Sequence, residues 1–314
     1  MNRNSNAILT LCCHLSTVDG VAPLEPKEWS LLANKLMQNQ IEPGDLFDFS
    51  VNDLTQNIGL NNEEAERIIR LIDRNASLSF TLGEYENMGI YALTRADVNY
   101  PSKLKKKLGA SCPPIFYYAG DLGLLDHSFI GYVGSRTVND EDIRFTQKTV
   151  EKTFANGYGV VSGGAKGIDT YSEETILSLG GIAVEYLSDS MLKKMKKSEI
   201  VRKIQSKHLL LLSVVNPDAG FNVGIAMMRN RYIYAQSEGT VVVRSEYNKG
   251  GTWAGAVENL KHEWCLEMCR NINCQGNRAL IQKGAVPIDD LWDGSLNSLP
   301  YDQNSCGEQI SIFD

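Results

Sequence analysis

The sequence predicts an α/β fold in which a parallel or mixed sheet has helices on both faces and follows a small helical N-terminal domain. Two observations support this prediction. After about residue 88, short apolar runs alternate with stretches of helical periodicity, which is typical of a sheet covered by helices on both sides. Before that point, apolar residues recur at helical spacing only. The apolar runs lie at 115–118, 129–133, 159–161, 182–187, 209–214 and 240–243.

Residues 1–84 are predicted to form the helical domain. Leu32 and Leu36 recur at helical spacing, and Asn61 can cap a further helix with Glu64 as its reciprocal partner. The second half of this region suggests a SAM-like or helix-hairpin-helix unit, a type that can contact a DNA backbone. The region carries 6 basic and 12 acidic side chains. This charge favours a protein contact or a structural role over a DNA contact.

The rest of the chain is predicted to divide into an α/β domain, 85–290, and a flexible tail, 291–314. The net charge of the whole chain is −7, but the α/β domain holds 25 basic and 22 acidic side chains and is mildly basic. The tail holds no basic and 4 acidic side chains in a polar stretch. The overall acidity therefore does not exclude a polyanionic ligand for the central domain.

Cysteine use and hydropathy indicate a cytoplasmic protein without a membrane segment. The 7 cysteines are odd in number and scattered, as is usual in a reducing compartment. Cys265, Cys269 and Cys274 have an irregular spacing, so we expect buried thiols there rather than a metal site. No stretch approaches the ~18 uninterrupted apolar residues of a membrane helix. Neither a metal nor a cofactor is predicted.

Two glycine-bearing turns follow apolar runs in the first half of the α/β domain, where helix N-termini offer unpaired N–H groups. In the first, Gly134 allows close backbone approach and Arg136 can bind a phosphate through two donors. The second, residues 162–169, reads Ser-Gly-Gly-Ala-Lys-Gly-Ile-Asp, and its glycines expose N–H groups that can form an anion nest. It is neither a Walker loop nor a full dinucleotide fingerprint.

Two further turns occur in the second half of the domain. Arg229 and Arg231 flank Asn230, and on a helix these two arginines diverge, so one of them is expected to reach a pocket. Residues 249–252 join a lysine, two glycines and a threonine at a predicted helix start, and Trp253 follows as a base-stacking or core residue. Each turn alone also fits a packing turn or a solvated surface. Together they predict cations at one edge of the sheet, suited to consecutive phosphates.

The order and separation of these four turns resemble the DNA-processing A (DprA/Smf) family. Tyr100-Pro101, the run 113–117 and the segment 276–287 are also similar to that family, and the likeness covers roughly residues 85–290. The resemblance implies an extended Rossmann-like fold and single-stranded DNA binding without enzymatic turnover. It further implies loading of the RecA recombinase, homodimerisation, and a role in recombination, transformation or phage defence.

The resemblance also implies which residues contact DNA or phosphate, and it implies no catalytic residue. The chain departs from the family's usual pattern at Glu173, where a histidine is usual, at Ala226, where a phenylalanine is usual, and at Arg244, where an acidic residue is usual. These departures indicate a divergent branch. The implied contacts are Gly134, Ser135, Arg136, Ser162, Gly163, Lys166, Gly167, Asp169, Arg229, Asn230, Arg231, Lys249, Gly250, Gly251 and Thr252.

Two other functions stay open at this point. The first is a nucleoside-monophosphate phosphoribohydrolase of the related LOG type, which pairs an arginine with a glutamate shortly after a Gly-Gly-x-Gly-Thr loop. Here Glu258 follows Gly250, Gly251 and Thr252, but the second Gly-Thr is missing. The second is a nucleotide-sensing module that uses the same pocket. A binding assay with free nucleotides separates the second from a DNA-binding protein.

The tail carries a motif of its own. Gln309, Ile310, Ile312 and Phe313 resemble the pentapeptide with which bacterial replication and repair proteins bind the sliding clamp. In an extended peptide the three apolar side chains can enter a groove while the glutamine forms hydrogen bonds at its rim. The polar stretch 294–308 would serve as a tether. The alternative is that these apolar residues pack on the protein's own surface.

Overall fold

The computed structural model describes residues 2–17 and 20–299. The chain divides into two compact units. The first comprises Met1–Ala119 with Ser213–Pro217, and the second comprises Gly120–Leu212 with Asp218–Asp314. The domain boundaries expected from composition and pattern, after residues 84 and 290, remain a prediction.

The first unit is mainly helical, as predicted. At the start of its fourth helix the Asn61 side chain accepts a hydrogen bond from the Glu64 N–H at 2.9 Å, and the Glu64 carboxylate accepts one from the Asn61 N–H at 3.0 Å. Leu32 and Leu36 are buried. An antiparallel pair of strands completes the unit. Its elements are α1 (Arg3–Cys12), α2 (Pro26–Gln38), α3 (Val51–Asn57), α4 (Asn62–Ile72), α5 (Asn75–Glu86), β1 (Tyr91–Thr94), α6 (Ser102–Leu108) and β2 (Ile115–Ala119).

The second unit alternates strands and helices, which is the pattern expected from the apolar runs. Its strands from β3 to β8 are buried along nearly their whole length, as in sheets covered on both faces. The elements are β3 (Phe129–Val133), α7 (Asp140–Ala155), β4 (Gly159–Ser162), α8 (Ile168–Ser178), β5 (Ala183–Leu187), α9 (Met191–Met195), α10 (Ser198–Gln205), β6 (Leu209–Ser213), α11 (Val223–Gln236), β7 (Gly239–Val242), α12 (Gly250–His262), β8 (Leu266–Arg270), α13 (Gln275–Gln282) and β9 (Val286–Ile288).

The strand order of the second unit is β6-β5-β4-β3-β7-β8-β9, and the pairings from β5 to β9 are parallel. The chain runs outward from β3 to β6, returns to β7 on the other side of β3, and runs outward again. Right-handed crossovers in opposite directions place their helices on opposite faces. The reversal leaves a crevice at the carboxyl ends of β3 and β7. The predicted α/β fold with a preceding helical part is confirmed.

The apolar runs in the sequence did not predict three of the described strands, namely β1, β8 and β9. In β8 the reason is visible, because two of its buried side chains are ionisable. Glu267 accepts a hydrogen bond from the Asn259 amide at 2.5 Å, and Arg270 lies 2.7 Å from the Asp142 carboxylate. These partners come from other elements, so a local apolar pattern cannot reveal the strand.

The structure also bears on metals and membranes within the residues it describes. Cys265 and Cys269 are buried and Cys274 is half-buried. Across residues 2–17 and 20–299, no group of three or more His, Cys, Asp or Glu side chains is arranged to hold a metal ion. No helix in the same ranges has the length and apolar character needed to cross a membrane.

Candidate functional site

A cavity of about 410 Å³ opens at the carboxyl ends of β3, β4 and β7, beside the crevice that the strand order creates. Its position is the one at which open α/β sheets bind ligands. Of the residues implied as contacts, most line it, whereas Ser162, Gly163, Gly167 and Arg231 do not. Those that line it are Gly134, Ser135, Arg136, Lys166, Asp169, Arg229, Asn230, Lys249, Gly250, Gly251 and Thr252.

The turns after β3 and β4 meet at backbone distance because of two glycines. A Cβ on Gly134 would lie 2.5 Å from Cγ1 of Ile168, at the start of α8. Gly167 has a φ of +84°, and a Cβ there would lie 2.4 Å from the Ser135 carbonyl oxygen. Only glycine allows this approach, which brings Arg136 and Lys166 to the same opening. Gly167 therefore shapes the cavity without lining it.

In the loop after β4, the Asp169 carboxylate accepts hydrogen bonds from backbone N–H groups that could otherwise bind an external anion. Its Oδ2 accepts hydrogen bonds from the N–H groups of Gly163 at 3.0 Å and Ala165 at 3.3 Å, and the Ser162 hydroxyl accepts one from Gly164 at 3.4 Å. The sequence suggested an anion nest for a ligand. In the structure two of its N–H groups are satisfied by the protein's own carboxylate.

Arg229 lies against this loop as a buried cation. A Cβ on Gly163 would overlap the Arg229 guanidinium, 1.2 Å from Nη1, so Gly163 gives that side chain its space. Nη1 is 3.9 Å from the Asp169 Oδ2. Burial lowers the pKa of Arg229 and raises the pKa of Asp169, and the attraction between the two charges opposes both shifts. We call Asp169, Arg229 and Asn230, which all line the cavity, the cavity floor.

The next two residues of α11, Asn230 and Arg231, make different contacts. The Asn230 amide donates to the Gly251 carbonyl at 2.9 Å and holds the first turn of α12. In the same region, the Thr252 hydroxyl donates to the Gly134 carbonyl at 3.0 Å. Arg231 points away and pairs with Glu258 on α12 at 2.9 Å. The divergence of the two arginines matches the helical geometry expected from the sequence.

Three exposed cations surround the opening and form the cationic rim, defined as Arg136, Lys166 and Lys249. Lys249 Nζ lies 3.2 Å from the Glu246 carboxylate, and both side chains are largely exposed. In water such a pair is weak, so it leaves Lys249 available to a phosphate. Arg244 also lines the cavity, but Asp142 holds it through two bonds of 2.7 and 2.9 Å.

Part of the cavity lining is apolar. Phe221, Val223 and Met227 belong to this part and are 51%, 64% and 41% exposed. We call these three residues the apolar wall. The Arg136 guanidinium carbon lies 5.1 Å from the centre of the Phe221 ring, so rim and wall are adjacent. Sequence reasoning missed the wall, and the only signal was an apolar pair spaced four residues apart at the start of α11.

Behind the loop after β4 lies a buried group of charges. Glu185, in the middle of β5, pairs with Lys194, and the carboxyl group of Glu173 on α8 lies 3.4 Å from Lys203 Nζ. Burial, together with the nearby Glu185 carboxylate, raises the pKa of Glu173 to about 9. A Cβ on Gly164 would lie 2.9 Å from Glu185 Oε2. The buried acids therefore support the loop that carries Lys166.

The position and glycine geometry of the cavity agree with a comparison against known families. The family described as DNA recombination-mediator protein A matches residues 91–295. The chain belongs to this family. The resemblance to the DNA-processing A proteins that the four turns indicated is thereby confirmed, and the family acts in DNA processing.

Two curated relatives give the extent of the likeness in sequence. Protein Smf of Synechocystis is 24% identical over 306 residues, which cover 88% of this chain and 72% of the relative. DNA processing protein DprA of Bacillus subtilis is 26% identical over 171 residues, which cover 54% of this chain and 57% of the relative. The family likeness is therefore broad in extent and low in identity.

Two solved structures share the fold. DNA processing protein A from Streptococcus pneumoniae superposes with a TM-score of 0.65 at 21% identity, covering 84% of this chain and 95% of that chain. DNA processing protein A from Helicobacter pylori, described for its single-stranded DNA binding mode, superposes with a TM-score of 0.50 at 23% identity, covering 63% and 90%. At these identities the likeness shows the fold.

Proposed function

We propose that this protein binds single-stranded DNA at the cavity and performs no chemical step on it. The observation that carries the proposal is the adjacency of the cationic rim and the apolar wall around one opening of about 410 Å³. Phosphates are bound by cations, and unpaired bases are bound by apolar or aromatic surfaces. A single strand presents both groups together, whereas a duplex presents mainly its phosphates.

The phosphoribohydrolase alternative receives less support from the geometry. Its expected carboxylate, Glu258, is paired with Arg231 and does not line the cavity. Among the described acidic residues, Asp169 and Glu246 do line it. Asp169 already accepts two backbone hydrogen bonds, and Glu246 is exposed beside Lys249. Asp169 also faces the buried Arg229, 3.9 Å away, so all of its described partners belong to the protein itself.

The test is a titration of the full chain into fluorescently labelled oligothymidylate, with a duplex of equal length as the comparison. Affinity for the single strand should exceed affinity for the duplex and should fall with salt, with a log–log slope of roughly −0.7 per phosphate contacted. Equal affinity for the duplex would overturn the selectivity. An isotherm that is flat from low to moderate salt would overturn the role of the rim.

Free nucleotides separate the DNA-binding proposal from a nucleotide-sensing module. A mononucleotide offers one base and one phosphate group, so it should compete only weakly with an oligonucleotide that spans the whole rim. Displacement of the oligonucleotide by micromolar mononucleotide would favour the sensing module instead. The same samples, incubated with nucleoside monophosphates and analysed for free base, test the absence of turnover.

Three further properties are proposed from the family resemblance alone. These are loading of the RecA recombinase, homodimerisation, and a role in recombination, transformation or phage defence. Sedimentation analysis measures the oligomeric state, and a strand-exchange assay with and without the protein measures RecA loading. A monomer at all concentrations, or no effect on strand exchange, would contradict the corresponding property.

We also propose that the C-terminal segment binds a sliding clamp. Gln309, Ile310, Ile312 and Phe313 lie outside the described residues. A synthetic peptide of residues 300–314 should bind a bacterial sliding clamp at micromolar strength, and the same peptide with Gln309→Ala and Phe313→Ala should not. Equal binding by the two peptides would contradict the motif.

A further inference from the structure

The segment 191–207, which contains α9 and α10, carries a concentration of positive charge outside the cavity. It holds 7 basic side chains and 1 acidic one, in a chain with 31 basic and 38 acidic side chains. Three of these cations pair with carboxyl groups of the protein, namely Lys194, Lys203 and Lys207. Four are exposed and form no ion pair with the residues that the structure describes, namely Lys193, Lys196, Lys197 and Arg202. Like charges that gather without internal partners favour an anionic ligand.

Three of these cations, Lys193, Lys196 and Lys197, lie at the same edge of the sheet as the cavity, and we call them the lysine patch. α9 follows β5, so it begins near the carboxyl end of that strand, and β5 pairs with β4. Between the patch residues, Lys194 reaches the loop after β4, because a Cβ on Gly164 would lie 2.8 Å from Lys194 Nζ. That loop carries Lys166 of the cationic rim two residues later. The lysine patch therefore continues the rim from β4 toward β5.

Toward α7 and toward β7, the surface near the opening carries exposed acids instead. α7 follows the turn after β3 and begins with Asp140 and Glu141, which are both exposed. On the β7 side, Glu246 lines the cavity and is exposed beside Lys249. A polyanion that leaves the opening is repelled by these carboxylates and attracted by the lysine patch. The distribution of charge therefore gives such a ligand one favoured direction.

We propose that the lysine patch binds the phosphates of the DNA strand where the strand leaves the cavity, as a second contact surface across α9. This inference rests on the proposed single-stranded DNA binding and adds a surface outside the cavity. Lysine binds phosphate as a point charge on a flexible stem, which suits a flexible backbone. The segment 191–207 contains no aromatic residue, so it offers no stacking platform, and the contact is with the backbone rather than with the bases.

The decisive comparison uses a short and a long oligothymidylate, of about 4 and about 20 nucleotides. The triple variant Lys193→Ala, Lys196→Ala, Lys197→Ala should bind the short oligomer as wild type does, because the cavity and its rim are unchanged. It should bind the long oligomer about tenfold more weakly at low salt. Its log–log salt slope for the long oligomer should be shallower by about 2, since three phosphate contacts at roughly 0.7 each are removed. Each variant is compared with wild type on the same oligomer, so the effect of length alone cancels.

Control variants separate the lysine patch from net charge and from a loss of structure. Lys261 and Lys283 are exposed at the ends of α12 and α13, and these helices run back from the carboxyl ends of β7 and β8 to the opposite edge of the sheet. The double variant Lys261→Ala, Lys283→Ala should therefore keep wild-type affinity for both oligomers.

A charge-preserving variant provides the rescue. Lys193→Arg, Lys196→Arg, Lys197→Arg retains the three charges and should keep wild-type affinity and salt slope for the long oligomer. The melting temperature of every variant should match wild type, because the patch side chains are exposed.

The outcomes distinguish this inference from the function on which it rests. Unchanged binding of the long oligomer by the triple alanine variant would overturn the lysine patch as a DNA contact, leave binding in the cavity standing, and indicate another anionic partner such as an acidic protein surface. Equal weakening of both oligomers would mean that the loop after β4 is disturbed and would also overturn the assignment. Equal weakening by the control at the opposite edge would reduce the effect to net charge. Absence of binding of either oligomer by wild type would overturn both proposals.

Discussion

The cavity floor and the cationic rim both contain cationic side chains, but the one on the floor is buried and those on the rim are exposed. On the floor, Arg229 is only 4% exposed and its charge faces a buried carboxylate of the same chain. On the rim, Arg136 and Lys166 are exposed. A buried cation whose partner is internal stabilises the loop geometry, whereas an exposed cation with access to solvent can bind a ligand. The comparison predicts that floor variants lose stability and rim variants lose affinity.

The largest expected effect is on the floor. Arg229→Ala leaves Asp169 as a buried charge without its cationic partner, so the free energy of unfolding should fall by about 3–5 kcal/mol. Urea denaturation measures this. Arg231→Ala is the matched control on the same helix, because its pair with Glu258 is about 30% exposed, and it should change stability by less than about 1 kcal/mol. Equal losses in the two variants would remove the distinction between floor and surface.

On the rim, affinity rather than stability should change. Arg136→Ala and Lys166→Ala each remove a charge-assisted phosphate contact of about 1.5–3 kcal/mol, so each should weaken single-stranded DNA binding about tenfold or more. Both variants should unfold at the wild-type urea concentration and should show a shallower salt dependence. Lys148→Ala, at an exposed position on α7, is the control and should bind normally. Normal binding by both rim variants would place the site elsewhere.

The buried acids behind the loop predict a dependence of stability on pH. The pKa of Glu173 is raised to about 9 in the folded chain, against about 4.3 for an unperturbed glutamate. Between these values the folded state holds a proton that the unfolded state has released, so this residue lowers stability as pH rises. Above pH 9 its destabilising effect is complete.

Glu173→Gln should remove that dependence. The variant should be more stable than wild type at pH 8 by more than about 1 kcal/mol, and the difference should shrink toward pH 5. Urea denaturation at pH 8 and at pH 5 measures this difference in the free energy of unfolding. Glu174→Gln, at an exposed neighbouring position, is the control. A Glu173→Gln variant that is less stable than wild type at pH 8 would show that the carboxylate is ionised and paired with Lys203.

The smallest expected effect concerns the one exposed acid that lines the cavity among the described residues. Glu246 lies 3.2 Å from Lys249 and is 65% exposed. Glu246→Gln removes a charge that repels phosphate and frees Lys249, so affinity for single-stranded DNA should rise by about two- to threefold, within the range of exposed charge pairs. Glu151→Gln, exposed on α7, should have no effect. Weaker binding by Glu246→Gln would mean that this carboxylate contacts the DNA directly.

Much of the fold could be predicted from the sequence because the residue patterns that indicate it are local. Six of the strands appeared as short apolar runs, and the Asn61 cap appeared as a residue pair three positions apart. β8 did not appear, because two of its buried side chains, Glu267 and Arg270, are polar and have their partners, Asn259 and Asp142, on other elements. A strand whose polar groups are satisfied at long range has no local apolar pattern.

The sequence by itself determined where the chain turns at the strand ends, because glycines at positions 134 and 167 are the only residues that permit the contacts made there. It also determined that Arg229 and Arg231 diverge, since helical geometry separates them. Only the tertiary structure decided that Arg229 faces inward to Asp169, that this carboxylate accepts hydrogen bonds from N–H groups of its own loop, and that the Arg136 guanidinium lies over the Phe221 ring. Those roles depend on which distant group lies within a few ångströms, and a linear pattern of residue types does not contain that distance.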